Sequence, residues 1–229
     1  MWMTRPVVTL NGDATLIDAA HLMQQHNIRR VVVVDGDGSD NMVPRGIISK
    51  HDVLHACPPN VDLFWQDAPE GLEMPLVGTV MTRNIRTIHA EAPVEEAAIL
   101  LRDLKIGALP VVLNNRLAGI ITESDIFKAL TQLLMGVESS MRITFDISET
   151  RGLFESLFKK AQYYDLELTS INSFEWNDRK MAVVRVYGAS LAPFVDWLWA
   201  SGHKVLDITS DDGDQELAAQ SPGFASQFD

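Results

Sequence analysis

Cysteine is almost missing from this sequence: Cys57 stands alone among 229 residues. A single thiol excludes an intrachain disulfide and any metal site built on cysteine pairs, so it reads as a buried or incidental group in a cytoplasmic protein. Basic residues are also scarce, 19 Lys and Arg against 31 Asp and Glu, giving a net charge of −12. Nucleic acid is a poor partner for such a chain, because binding it needs clustered cations to neutralise phosphates. No apolar run approaches the roughly 18 residues that a membrane span requires. The opening Met1 to Leu10 lacks the basic-then-apolar order of a secretory signal, so no export is expected. Catalytic signatures are missing as well. There is no Gly-x-Ser-x-Gly, phosphate-binding P-loop or dinucleotide fingerprint, and His51 and His55, four apart, lack a third ligand or a zincin glutamate. The expectation is a non-enzyme with no metal and no catalytic residue.

The acidic charge is concentrated. Residues 58–79 carry Asp62, Asp67, Glu70 and Glu73, residues 211–229 carry five more acids, and neither stretch has a Lys or Arg. Together they supply nine of the twelve net charges, so the rest of the chain has room for local basic pockets.

What is present is a repeat. Met3-Thr4 aligns with Met81-Thr82, Thr9 with Thr87, Ala19-Ala20 with Ala97-Ala98 and Val33 with Val111, all 78 apart. The heptapeptide Gly46-Ile47-Ile48-Ser49-Lys50-His51-Asp52 then returns 73 positions later as Gly119-Ile120-Ile121-Thr122-Glu123-Ser124-Asp125. The change of offset falls in the loop Asp35 to Val43, where an insertion leaves the flanking elements in register. Each copy reads as strand, helix, two strands and helix. Strands are expected at Val7–Leu10, Arg30–Val34 and Arg45–Ile48, then at Arg86–Ile88, Leu109–Leu113 and Leu117–Ile121. The helices carry apolar residues at helical spacing, Leu16, Ala19, Ala20 and Met23 in one copy and Val94, Ala97, Ala98 and Leu101 in the other. One such unit is too small for a good core, and two packed by a pseudo-twofold create two equivalent clefts.

Each heptapeptide ends a strand at a hydroxyl and starts a helix with an Asp three positions later. A helix cap explains this locally. The same geometry offers free N–H groups, a hydroxyl and a carboxylate, which suit phosphate and a ribose diol.

With Met81-Thr82, Pro110-Val111-Val112 and the twice-repeated Gly, two apolar residues, Ser/Thr, two variable residues and Asp, the chain from Trp2 to about Met135 resembles a tandem pair of cystathionine-β-synthase (CBS) domains. The resemblance implies adenosyl ligands (AMP, ADP, ATP or S-adenosylmethionine) bound between the copies, with the signature Asp on the ribose. It also implies pockets shared across copies. Asp125 and Thr122 would work with Thr9, Ile28, Arg29 and Arg30, and Asp52 and Ser49 with Thr87, Ile106, Gly107 and Ala108. Arg29 and Arg30 would make the first pocket cationic, and Gly107 and Ala108 would leave the second nearly neutral unless Lys50 or His51 compensates.

Residues 141–209 read as β-α-β-β-α-β, the ferredoxin-like order. Asp146 followed by Arg151-Gly152-Leu153 resembles the turn of ACT domains, and CBS-CBS-ACT is the layout of the acetoin-utilisation AcuB-like proteins. The fold class expected is α+β: a CBS pair (1–79 with its linker, 80–140), an ACT-like domain (141–210) and an acidic disordered tail (211–229). The function expected is a cytoplasmic sensor of adenosyl nucleotides, a homodimer by its uncovered faces at Ile126, Leu130 and Leu133, with an unidentified regulated partner. The alternative is an assembly protein with vestigial pockets.

Overall fold

A computed structural model describes residues 2–35, 42–58, 61–64, 73–135 and 139–210. The expected tail 211–229 and most of the inserted loop 36–41 lie outside the described residues. The chain divides into two compact units at Ala129/Leu130.

The first unit holds both repeats. Repeat one runs β1 (Thr9–Leu10), α1 (Leu16–Gln25), β2 (Arg30–Asp35), β3 (Val43–Ser49) and α2 (Lys50–Ala56). After the helical turn α3 (Val77–Val80), repeat two runs β4 (Ile88–His89), α4 (Val94–Leu104), β5 (Ala108–Leu113), β6 (Arg116–Thr122) and α5 (Glu123–Met135). Each repeat forms a three-stranded sheet, β1-β2-β3 and β4-β5-β6, with the middle strand parallel to the first and antiparallel to the third. The first strands are shorter than expected. Val7, Val8, Arg86 and Thr87 lie ahead of the paired residues.

The Val31-Val32-Val33-Val34 run shows why such strands are apolar on every residue. Alternate side chains point to opposite faces, and both faces are buried. Val31 and Val33 join Leu16, Ala19, Ala20 and Met23 in the core of repeat one. Val32 and Val34 meet Ala108 and Ile120 in a separate cluster that joins the two sheets. Leu109, Val111 and Ile121 face Ala97 and Leu101 in the core of repeat two. Both first helices end in a left-handed residue, Asn27 (φ 50°) and its equivalent Lys105 (φ 52°).

Pro110 is the third residue of β5. It pairs with Ile120, whose N–H and C=O are both engaged with Thr4, away from β5. The pair is therefore of the non-hydrogen-bonded kind, and the ring's missing N–H faces the β4 side. There, pairing begins only at Val111, so no ladder bond is lost.

The second unit comprises β7 (Met141–Asp146), α6 (Leu153–Tyr163), β8 (Glu167–Trp176), β9 (Arg179–Tyr187), α7 (Leu191–Ala200) and β10 (Val205–Ser210). Its antiparallel sheet has the order β10-β7-β9-β8. This is the ferredoxin-like topology. Leu153, Leu157 and Ala161 of α6 and Phe194, Val195 and Leu198 of α7 share one core with Ile143, Phe145, Ala182 and Val184 of the sheet. Asp146 is buried at the end of β7, where it accepts from Lys204 Nζ (2.7 Å) and the Ser148 N–H (3.0 Å). These bonds hold its pKa down at about 2.

Candidate functional site: two clefts between the repeats

The glycine of each heptapeptide is where the repeats interlock. The lead segment of repeat one bridges to β6 of repeat two through Thr4 and Ile120, and that of repeat two bridges to β3 of repeat one through Thr82 and Ile47. This swap lays Met3 across Gly119 and Met81 across Gly46. A Cβ at either glycine would collide with the methionine sulfur. The repeated Met-Thr and the repeated Gly are thus two halves of one contact, made twice.

Both signature hydroxyls cap helices. Asp52 Oδ2 accepts from the Ser49 N–H (2.8 Å) and Ser49 Oγ (2.7 Å), and the Asp52 N–H donates back to Ser49 Oγ (3.2 Å). Asp125 Oδ2 accepts from the Thr122 N–H (2.8 Å) and Thr122 Oγ1 (2.7 Å) in the same way. Thr15 and Asp18 do likewise at α1. Capping boxes usually carry Glu or Gln at the third position; all three here use Asp, so the Asp alone does not argue against a cap. The two sites then differ. Asp125 Oδ1 accepts from Thr4 Oγ1 (3.0 Å), whereas Asp52 Oδ1 has no partner among the described residues.

Above each helix start lies a cleft. The first, about 280 Å³, brings together Thr122 and Asp125 of repeat two with Ile28, Arg29 and Arg30 of repeat one. Thr4, Pro6, Val7 and Val8 complete it. The second, about 420 Å³, brings together Ser49 and Asp52 of repeat one with Ile106, Gly107 and Ala108 of repeat two, closed by Thr82, Asn84, Ile85 and Arg86. Equivalent positions thus line both. Two expected residues do not. Thr9 is paired within β1, its hydroxyl 3.7 Å from Met42 Sδ, and Thr87 is exposed just before β4. The lead segment lines each cleft with residues one to five positions ahead of the threonine that the resemblance placed there.

The second cleft is not neutral. Arg86 lines it, in the place that Val8 takes in the first, and Arg30 lines both clefts. Lys50 and His51 contribute to neither: the Lys50 ammonium sits 4.4 Å over the Phe64 ring, and His51 lies against His55 with ring centres 4.6 Å apart and planes tilted by 49°. Arg29, Arg30 and Arg86 make no ion pair or side-chain hydrogen bond among the described residues. Each cleft therefore sets a capped helix N-terminus with its carboxylate opposite two uncommitted guanidinium groups, a pattern suited to a polar anion with a diol. Among the described residues no group of three or more His, Cys, Asp or Glu could hold a metal ion, and no helix is long and apolar enough to cross a membrane. Burial, followed by the nearby Asp62 charge, raises the Cys57 pKa, which makes this thiol a weak nucleophile.

Comparison with known proteins bears on the first unit. The CBS domain profile matches residues 1–58 and 77–132. A CBS domain-containing protein of Dictyostelium discoideum is 35% identical over 134 residues, covering 58% of this chain and 90% of the relative. The crystal structure of a protein assigned to acetoin utilization (AcuB) from Vibrio cholerae shares 34% identity over 58% of this chain and 90% of its own, with a TM-score of 0.46. A CBS domain pair crystallised with 5′-methylthioadenosine and S-adenosyl-L-methionine shares 28% identity over 56% of this chain and 90% of its own, with a TM-score of 0.45. The chain spans only 21 to 37% of the length of three further curated relatives.

Proposed function

The chain belongs to the CBS-domain proteins, and on that premise we propose that its first unit is a regulatory module that binds an adenosyl nucleotide in the clefts between its repeats. The observation that carries the reading is the pairing, in both clefts, of a helix N-terminus and carboxylate from one repeat with guanidinium groups that have no partner among the described residues. The free lone pairs of Asp125 and Asp52 accept from the ribose hydroxyls, and Arg29 with Arg30, or Arg86 with Arg30, receive the phosphates. Val7, Val8 and Ile28 in the first cleft, and Ile85 and Ile106 in the second, give the base an apolar bed. AMP, ADP, ATP and S-adenosylmethionine share this chemistry. The module acts in the cytoplasm by binding, without catalysis, and passes its state to a protein partner or to its own oligomer.

The second unit serves pairing between copies. Its topology and the turn from Asp146 to Leu153, with Gly152 left-handed at φ 75°, support an ACT-like assignment and with it the AcuB-like layout. Strand β8 is an edge of ten residues with Ile171, Phe174 and Trp176 exposed, an arrangement that a second copy would protect. Exposed Phe127, Leu130 and Leu133 on α5 support a homodimer in the same sense.

A second reading has its own observation. Both capping boxes are complete without any ligand, and Thr4 already bonds Asp125. An assembly protein with vestigial clefts needs nothing more. A thermal-shift panel of the four ligands separates the two: a ligand at 100 times its dissociation constant stabilises the fold by about 2.7 kcal/mol, and an assembly protein shifts with none of them.

A further inference from the structure

Among the described residues, Arg30 is the one cation that belongs to both clefts. It lies at the start of β2, between them, with its guanidinium against Gly107 of the opposite repeat. Its seat exists only because residue 107 has no side chain: a Cβ there would collide with the guanidinium. The repeats are not symmetric here, since the equivalents of Arg29 and Arg30 are Gly107 and Ala108. The two clefts thus have a private cation each, Arg29 and Arg86, and hold the third in common.

We infer that Arg30 couples the clefts: a phosphate-bearing ligand in one draws the shared guanidinium to itself, so that a second such ligand binds the other more weakly. A guanidinium has donors enough for two anions, but they lie in one plane on one carbon. The group can make a bidentate contact on one side of Gly107 only by turning that edge away from the other. Neutral ligands make no such demand, so the coupling is specific to charge. This inference rests on the reading of the clefts as nucleotide sites.

The test is calorimetry of the full chain with ATP as the probe and adenosine as the phosphate-free control. Asp125→Ala and Asp52→Ala each weaken one cleft about ten- to a hundredfold, so that the other fills first and its affinity is read alone. In the unmodified chain, the weaker ATP step should lie about tenfold above the dissociation constant of that same cleft measured alone, the loss of one charge-assisted contact. Arg30→Gln should abolish the discrepancy, and so should Gly107→Ala, which displaces the guanidinium while keeping its charge. Adenosine should show no discrepancy in any of these proteins. Two ATP steps that reproduce the single-cleft affinities would overturn the coupling and leave the nucleotide reading standing. If the unmodified chain binds no ATP, the nucleotide reading falls, and the coupling falls with it.

Discussion

Asp125 and Asp52 are equivalent in sequence and unequal in structure, so replacing each by alanine separates capping from ligand binding. Asp52→Ala removes a capping box, which costs about 1 kcal/mol. Asp125→Ala removes the same box and also the acceptor of the Thr4 hydroxyl, 3.0 Å away. That bond is exposed to solvent and contributes about 0.5 to 1 kcal/mol, for a total near 1.5 to 2 kcal/mol. Hydrogen exchange of the buried amides in β2 and β5 measures these losses within the first unit, independently of the second. A Thr4→Val, Asp125→Ala double-mutant cycle should return the Thr4 share as a coupling energy. The effect on affinity is separate. Each alanine should weaken ATP in its own cleft about ten- to a hundredfold, and by similar factors, because Arg86 and Arg30 give the second cleft the charge that its sequence seemed to lack. Equal stability losses in the two variants, with no Thr4 coupling, would refute the structural argument; stability losses with unchanged affinity would mean that the heptapeptide recurs only as a helix cap.

Gly46→Ala should destabilise more than Gly119→Ala in thermal melts, because the added Cβ at 46 also meets the Thr82 carbonyl at 3.0 Å, whereas at 119 only the flexible Met3 side chain must move. Both costs lie in the range of about 1 to 3 kcal/mol expected for overpacking, and Met3→Ala should rescue Gly119→Ala. Asp146→Asn should destabilise the second unit at neutral pH by about 1 to 2 kcal/mol, after allowance for the exposure of Lys204. Since the folded pKa of about 2 lies below the unfolded value, this stabilisation is full above roughly pH 4 and disappears as pH falls through 2, so urea melts of the two proteins should converge there. Light scattering at micromolar concentration should give twice the mass of the chain, and Phe127→Glu with Leu130→Glu should reduce it; a monomer in the unmodified protein would remove the homodimer from the account.

The duplication and the first helix face were legible in the sequence because offset and periodicity encode them directly. Leu16, Ala19, Ala20 and Met23 are all buried as their spacing requires, whereas in α4 only Ala97 and Leu101 are, with Val94 and Ala98 half-buried. The partnership of Met3 with Gly119 was present only in part: the Met-Thr repeat was visible at offset 78 and the Gly repeat at 73, but nothing local states that each crosses to the other copy. Thr9 and Thr87 were misplaced for a related reason. A lead segment that crosses between repeats reaches the cleft before it joins its own sheet, so the lining residues are Thr4 to Val8 and Thr82 to Arg86. Arg86 was hidden because its equivalent is Val8, and a cation present in one copy alone carries no repeat signal. The asymmetry at Gly107 was visible as a missing charge, whereas its structural role is to seat Arg30.

The central claim is that uncommitted guanidinium groups facing capped helix starts make the clefts nucleotide sites. Titrating the full chain with ATP by calorimetry, alongside an Arg29→Gln, Arg30→Gln, Arg86→Gln triple variant, tests it most directly. The account predicts saturable binding in the unmodified protein and a loss of at least about a hundredfold in the variant, with the fold intact by circular dichroism. Saturable binding that survives the triple substitution, or no binding by either protein, would contradict it.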